Sequence, residues 1–97
     1  MSGTGAGVWI ATADGRDMVR ADAIVIVRLD GDRLTAQLRD EARQSVTLID
    51  GTAGRRPPSD FHRRLVRAVS ELDDVGGARL IRMVCDDAGW RWVTEPL

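Results

Sequence analysis

The sequence predicts a small α+β fold, in the order ββββ-α-ββ. Three observations lead to this class. The first half alternates β-branched, apolar segments with Asp-Gly pairs, one later stretch has apolar residues at helical spacing, and two short apolar runs follow it. We therefore expect an antiparallel meander of about four strands, one amphipathic helix and a C-terminal β-hairpin. The helix is expected to pack on one twisted sheet or on a partly closed barrel.

The meander begins with a strand over residues 8–13, and Asp14-Gly15 then forms a tight turn. The chain resumes at Met18–Arg20, bends at Ala21–Ala23 and enters a second strand over 24–29. Because that second strand is apolar on both faces and rich in Val and Ile, we expect it to be central and covered on both sides.

The clearest hairpin signal is Asp30-Gly31-Asp32. The return strand over 33–39 alternates, which predicts one wet face. A polar turn over 40–44 and a further strand over 45–49 complete the meander, and Asp50-Gly51 closes it.

A loop containing Pro57 and Pro58 separates the meander from the helix, and Ser59 is the predicted N-cap. The apolar positions that follow form a single helical stripe that must pack on the sheet. Gly76-Gly77 ends the predicted helix. The stripe consists of Phe61, Leu65, Ala68, Val69 and Leu72.

The predicted C-terminal hairpin has a strand over 78–85, a turn over 86–89 and a closing strand over 90–94. Trp90 and Trp92 share one face of the closing strand. No repeat or domain boundary is visible, so we expect a flexible N-terminus over 1–7 and a single α+β domain over 8–97.

The composition limits the functional classes. The 97 residues carry a net charge of −1, which gives no overall attraction to DNA or to acidic membranes. The absence of Lys, Asn and Tyr is typical of a high-GC bacterial genome. A single cysteine, no signal peptide and no apolar run of membrane-spanning length together predict a cytoplasmic protein.

A basic cluster over residues 55–67 is the main candidate binding site, and its order of charges is unusual. A helix dipole favours acidic residues at the N-terminus, yet the arginines come first here and Glu71 follows them. The cluster could hold phosphate, carboxylate or a nucleic-acid backbone. It could equally be a solvated helix face with an Arg67–Glu71 ion pair. The candidate residues are Arg55, Arg56, Arg63, Arg64 and Arg67.

The tryptophans are the second candidate. Trp90 and Trp92 flank Arg91, and interleaved aromatic and basic residues on a sheet can stack nucleobases. The same pair could instead fill the core with the indole N–H bonded at its rim, or form a protein interface on an edge strand.

Catalytic and metal sites are not indicated. His62 is the only histidine and Cys85 the only cysteine, so no nucleophile–base pair or zinc spacing exists. Three acidic pairs lie where turns or a helix end are predicted and Asp is common. We expect no enzymatic activity, no cofactor and no metal. The pairs are Asp30 with Asp32, Asp73 with Asp74, and Asp86 with Asp87.

The function predicted from these observations is a small, non-enzymatic bacterial module that binds another protein or a second copy of itself, as a homodimer. The alternative is nucleic-acid or anion binding through the Arg55–Arg67 cluster. No membrane partner is expected.

Overall fold

The computed structural model describes residues 7–39, 41–51, 56–72 and 77–97. It confirms the α+β class. The helix α1 spans Phe61–Glu71, and a single 3₁₀ turn spans Ala21–Ala23. Within the described residues the strands are β1 (Val8–Ala11), β2 (Met18–Arg20), β3 (Ile24–Asp30), β4 (Arg33–Leu38), β5 (Glu41–Asp50), β6 (Arg79–Asp86) and β7 (Gly89–Pro96).

The strands form two sheets, so the prediction of one sheet or a partly closed barrel was wrong. One sheet has the order β2-β1-β6-β7 and the other β3-β4-β5. The predicted meander divides because Met18–Arg20 is a strand of its own, paired antiparallel with β1, and the 3₁₀ turn then directs the chain into the second sheet. On its other side β1 pairs parallel with β6, in the register Val8↔Arg79.

The strand β3 is an edge strand, which corrects the prediction that it is central. Its only neighbour in the described sheet is β4, and the pairing is irregular, with a register shift between Ile24 and Ile26. Val25 and Ile26 are 51% and 42% exposed. The apolar run of this strand is therefore not covered on both sides.

The hairpins agree better with the sequence. The β3–β4 hairpin closes at Asp30↔Arg33 around Gly31, and the β6–β7 hairpin closes at Asp86↔Gly89. The turn predicted over 40–44 contains one paired residue, because Glu41 pairs with Leu38 before the register shifts and pairing resumes at Ser45.

The core lies between the two sheets and the helix. Phe61 and Leu65 are completely buried, so the predicted helical stripe is confirmed at its two largest positions. They pack with buried residues from both sheets, including Ile10, Leu34 and Ile81. A helix that contributes to a core shared by two sheets is held in one place by both.

The start of the helix differs from prediction by one residue. Its N-cap is Asp60, not Ser59, and the Asp60 side chain makes no capping hydrogen bond. The carboxylate instead pairs with Arg64 at 3.1 Å. The helix ends at Glu71. The predicted terminator Gly76, the acidic pair at 73 and 74, and the predicted flexible residues 1–6 lie outside the described residues.

No described helix is both long enough and apolar enough to cross a membrane.

Two hairpin turns of the four-stranded sheet are fixed by carboxylates. The Arg16 backbone N–H and the Thr12 hydroxyl both donate to Asp14, and they lower the pKa of its carboxyl. The Arg91 guanidinium and the Ala88 backbone N–H likewise lower the pKa of Asp86. Both hydrogen-bond networks favour the ionised form of the carboxylate.

The lowered pKa values give a pH dependence with a definite sign. Their stabilising effect is present above the ordinary aspartate value of 3.8 and is lost as pH falls below it. We expect the wild type to lose stability in urea unfolding between about pH 5 and pH 2, and the double variant Asp14→Asn/Asp86→Asn to lose less over that range. Equal losses of stability in the wild type and the double variant would contradict the assignment of this pH dependence to Asp14 and Asp86.

Gly51 is required where β5 ends. Its φ is +78°, and a Cβ there would lie 2.7 Å from the Asp32 carboxylate carbon. Gly31 has a similar φ of +66° but open space around it. We expect Gly31→Ala and Gly51→Ala each to cost about 1–2 kcal/mol of unfolding free energy, because both glycines have a positive φ and the Asp32 carboxylate, at the end of a flexible side chain, can move away from the new Cβ. A clearly larger cost for Gly51→Ala in chemical denaturation would show that Asp32 cannot move away.

Candidate functional site

A groove lies between the edge strand β3 and the helix α1, with a volume of about 780 Å³. Ile24, Val25 and Val27 line it from β3, and Ile10 contributes from β1. The helix lines it with both apolar and basic residues, so one wall is apolar and the other mixed. The helical residues are His62, Arg63, Leu65, Val66, Arg67, Val69 and Ser70.

Each wall of the groove carries a valine that is more than half exposed. Val25 is 51% exposed on β3, and Val66 is 57% exposed on α1. Single exposed apolar residues are common on protein surfaces. Here, however, two of them line the same concave surface together with Ile24 and Val27, and this combination is typical of a binding groove.

The first turn of the helix is fixed by aromatic contacts at Phe61. The rings of Phe61 and Trp92 stack with centroids 4.6 Å apart, and Trp90 meets Phe61 edge-on at 5.7 Å. The Trp92 indole N–H also donates to the Phe61 carbonyl oxygen at 2.9 Å. Both tryptophans are half-buried against the core and neither lines the groove. The structure therefore places them apart from the groove arginines.

The predicted arginine cluster divides into distinct environments. Arg63 and Arg67 line the groove, as their shared helix side predicts, whereas Arg64 pairs with Asp60. Arg56 is exposed and does not line the groove, and Arg55 lies outside the described residues.

The two groove arginines lack carboxylate partners within the described part of the chain. No ion pair within 4 Å joins Arg67 to Glu71, although their spacing allows one, and none is formed by Arg63. Two guanidinium groups on an apolar groove can bind carboxylate or phosphate oxygens through charge-assisted hydrogen bonds.

One buried polar atom also belongs to the groove residues. His62 lines the groove, and its Nδ1 atom is buried without a hydrogen-bond partner in the described structure. No group of three or more His, Cys, Asp or Glu side chains in the described ranges is placed to hold a metal ion.

One residue of this groove, Val66, can be recognised in the sequence. Val66 is an apolar residue off the buried stripe, flanked by Arg63, Arg64 and Arg67. An apolar residue within a basic helix face is a candidate contact residue. The exposure of Val25 and Ile26 could not be predicted, because an apolar run has the same sequence pattern in an edge strand as in a central strand.

Comparisons of this chain with known protein families, curated proteins and solved structures found no match.

Replacing Arg63 tests whether the groove arginines serve the fold. Arg63 lies in the first helical turn, where an acidic residue interacts favourably with the dipole, and Glu at this position would also pair with Arg67 one turn later. We expect Arg63→Glu to raise the free energy of unfolding by about 0.5–1 kcal/mol. The matched change Arg56→Glu, outside the helix, should leave it within about 0.5 kcal/mol. A clear loss in urea unfolding of Arg63→Glu would assign the arginine a structural role.

Proposed function

We propose that this chain is a non-enzymatic protein-interaction module, and that it binds an extended segment of a partner in the groove between β3 and α1. The observation that carries the proposal is the pairing of Val25 and Val66. Both line one groove, and both leave more than half of their surface exposed. Covering such residues on binding contributes favourably through the hydrophobic effect.

The edge position of β3 supports the same function. In the described structure its outer side has no strand partner, so its backbone N–H and C=O groups are free to pair with an added strand. Strand addition of this kind combines backbone hydrogen bonds, which give affinity, with side-chain pockets, which give specificity. The groove beside β3 supplies such a pocket.

The alternative function is nucleic-acid or anion binding through the Arg55–Arg67 cluster. The two unpaired groove arginines favour anion binding in general. A nucleic-acid backbone, however, is better matched by a broad basic surface than by a groove whose strand wall is apolar, and the net charge is −1. A second copy of the chain is a further possible partner.

Selection of displayed peptides tests the proposed function. Random ten-residue peptides on phage would be selected on the wild type. They would then be assayed on Val25→Thr/Val66→Gln, which places a polar side chain on each wall of the groove. The matched control is Met18→Gln, because Met18 is 50% exposed but lies outside the groove. We expect the control to bind like the wild type and the groove variant at least about tenfold more weakly, a difference of about 1.4 kcal/mol.

The failure of selection, or equal binding to both variants, would reject the groove as a protein-binding site. Sedimentation velocity over a wide concentration range would identify self-association: a dimer that is lost in Val25→Thr/Val66→Gln but kept in Met18→Gln would make the partner a second copy of the chain.

A further inference from the structure

We infer that the partner segment is acidic, and that it lies as an extended strand along β3 with two carboxylates, two residues apart, facing Arg63 and Arg67. This inference rests on the proposed function and specifies its ligand chemistry. It depends on the charge of the groove, the spacing of the two arginines and the arrangement of the apolar wall.

The charge of the groove comes from Arg63 and Arg67, which have no ion pair within the described residues. Two carboxylates close in sequence to the walls are already engaged, whereas Glu71, next to the groove residue Ser70, forms no ion pair with Arg67 within the described residues. Asp60 pairs with Arg64 at 3.1 Å, and Asp22 pairs with Arg20 at 3.0 Å. A partner that brings its own carboxylates therefore gains charge-assisted hydrogen bonds without breaking pairs that already exist.

The spacing of the arginines matches an extended chain. Arg63 and Arg67 are four residues apart in α1, which is a rise of about 6 Å along the helix axis. Alternate side chains of a strand lie on one face about 6.6 Å apart. Residues i and i+2 of an added strand therefore have nearly the same spacing as the backbone positions of Arg63 and Arg67 along the helix axis.

Apolar contacts complete the match. Val66 lies on α1 between the two arginines in sequence, and Val25 lines the groove from β3. We expect the partner segment to place an aliphatic side chain between these valines. A sequence that mixes Asp or Glu with Val, Ile or Leu meets both requirements.

A second copy of this chain fits the groove less well. An antiparallel pairing of β3 with its symmetry mate has a two-fold axis perpendicular to the sheet, so both α1 helices lie on the same face of the joined sheet. The groove arginines of one copy would then approach those of the other, and like charges in such positions are unfavourable. An acidic partner removes this repulsion.

The test uses the selection described above with charge-reversed protein. Peptides are selected separately on the wild type, on Arg63→Glu/Arg67→Glu, and on the matched control Arg16→Glu/Arg56→Glu, whose two exposed arginines lie outside the groove. We expect Asp and Glu to be enriched beside aliphatic residues on the wild type and on the control. On Arg63→Glu/Arg67→Glu we expect Lys and Arg instead.

Direct affinities complete the experiment. A synthetic acidic peptide from the wild-type selection should bind Arg63→Glu/Arg67→Glu at least about tenfold more weakly, and its affinity for the wild type should fall as salt is raised. Arg63→Gln/Arg67→Gln removes both positive charges without adding negative ones, and this variant should bind the peptide with intermediate affinity. Cooperative unfolding of each variant would show that the weaker peptide binding is not caused by loss of the folded structure.

The outcomes separate the two proposals. Groove-dependent peptides that are neutral or basic, or an acidic peptide that binds the charge-reversed protein equally well, would overturn the acidic partner and leave the groove function standing. No groove-dependent peptide would overturn both. A thymidine oligonucleotide whose binding is lost in Arg63→Glu/Arg67→Glu but unchanged in Val25→Thr/Val66→Gln would replace both with the nucleic-acid alternative.

Discussion

The contact of Phe61 with Trp92 positions the helix on which the candidate site depends. The stacked rings and the hydrogen bond from the Trp92 indole to the Phe61 carbonyl hold the first turn of α1 against the four-stranded sheet. Phe61 and Leu65 also pack with buried residues of the other sheet. Since α1 is fixed on this side, the helix side that bears Arg63 and Val66 is left to face β3 across the groove.

The same arrangement explains the unusual order of charges in the helix. Arginines at the start of a helix oppose its dipole, and the N-cap residue Asp60 pairs with Arg64 instead of capping the backbone. The cost to the fold is small because tertiary packing, not the dipole, supplies most of the stability of a short helix. Groove arginines are then free to serve recognition, as the proposed acidic partner requires.

Local patterns in the sequence predicted the local elements. The Asp-Gly turn after β3, the buried stripe containing Phe61 and Leu65, and the C-terminal hairpin all depend on residues close together in the chain. The joining of the first and last strand pairs into one sheet depends on the parallel pairing of β1 with β6, about seventy residues apart, and no local pattern encodes such a pairing. The edge position of β3 follows from the 3₁₀ turn that separates it from β2, which the sequence predicted only as a bend. Arg63 and Arg67 became candidates from their charge, whereas the position of Val25 in the groove emerged only from the fold.

The most direct test of strand addition at β3 is backbone amide hydrogen exchange of the wild type, with and without a selected acidic peptide. We expect the amides of β3 to become protected and those of α1 around Arg63 and Arg67 to shift in the NMR spectrum, while the edge strand β7 is unchanged. Protection on β7 around Trp90 and Trp92, or no protection on β3, would contradict strand addition at β3.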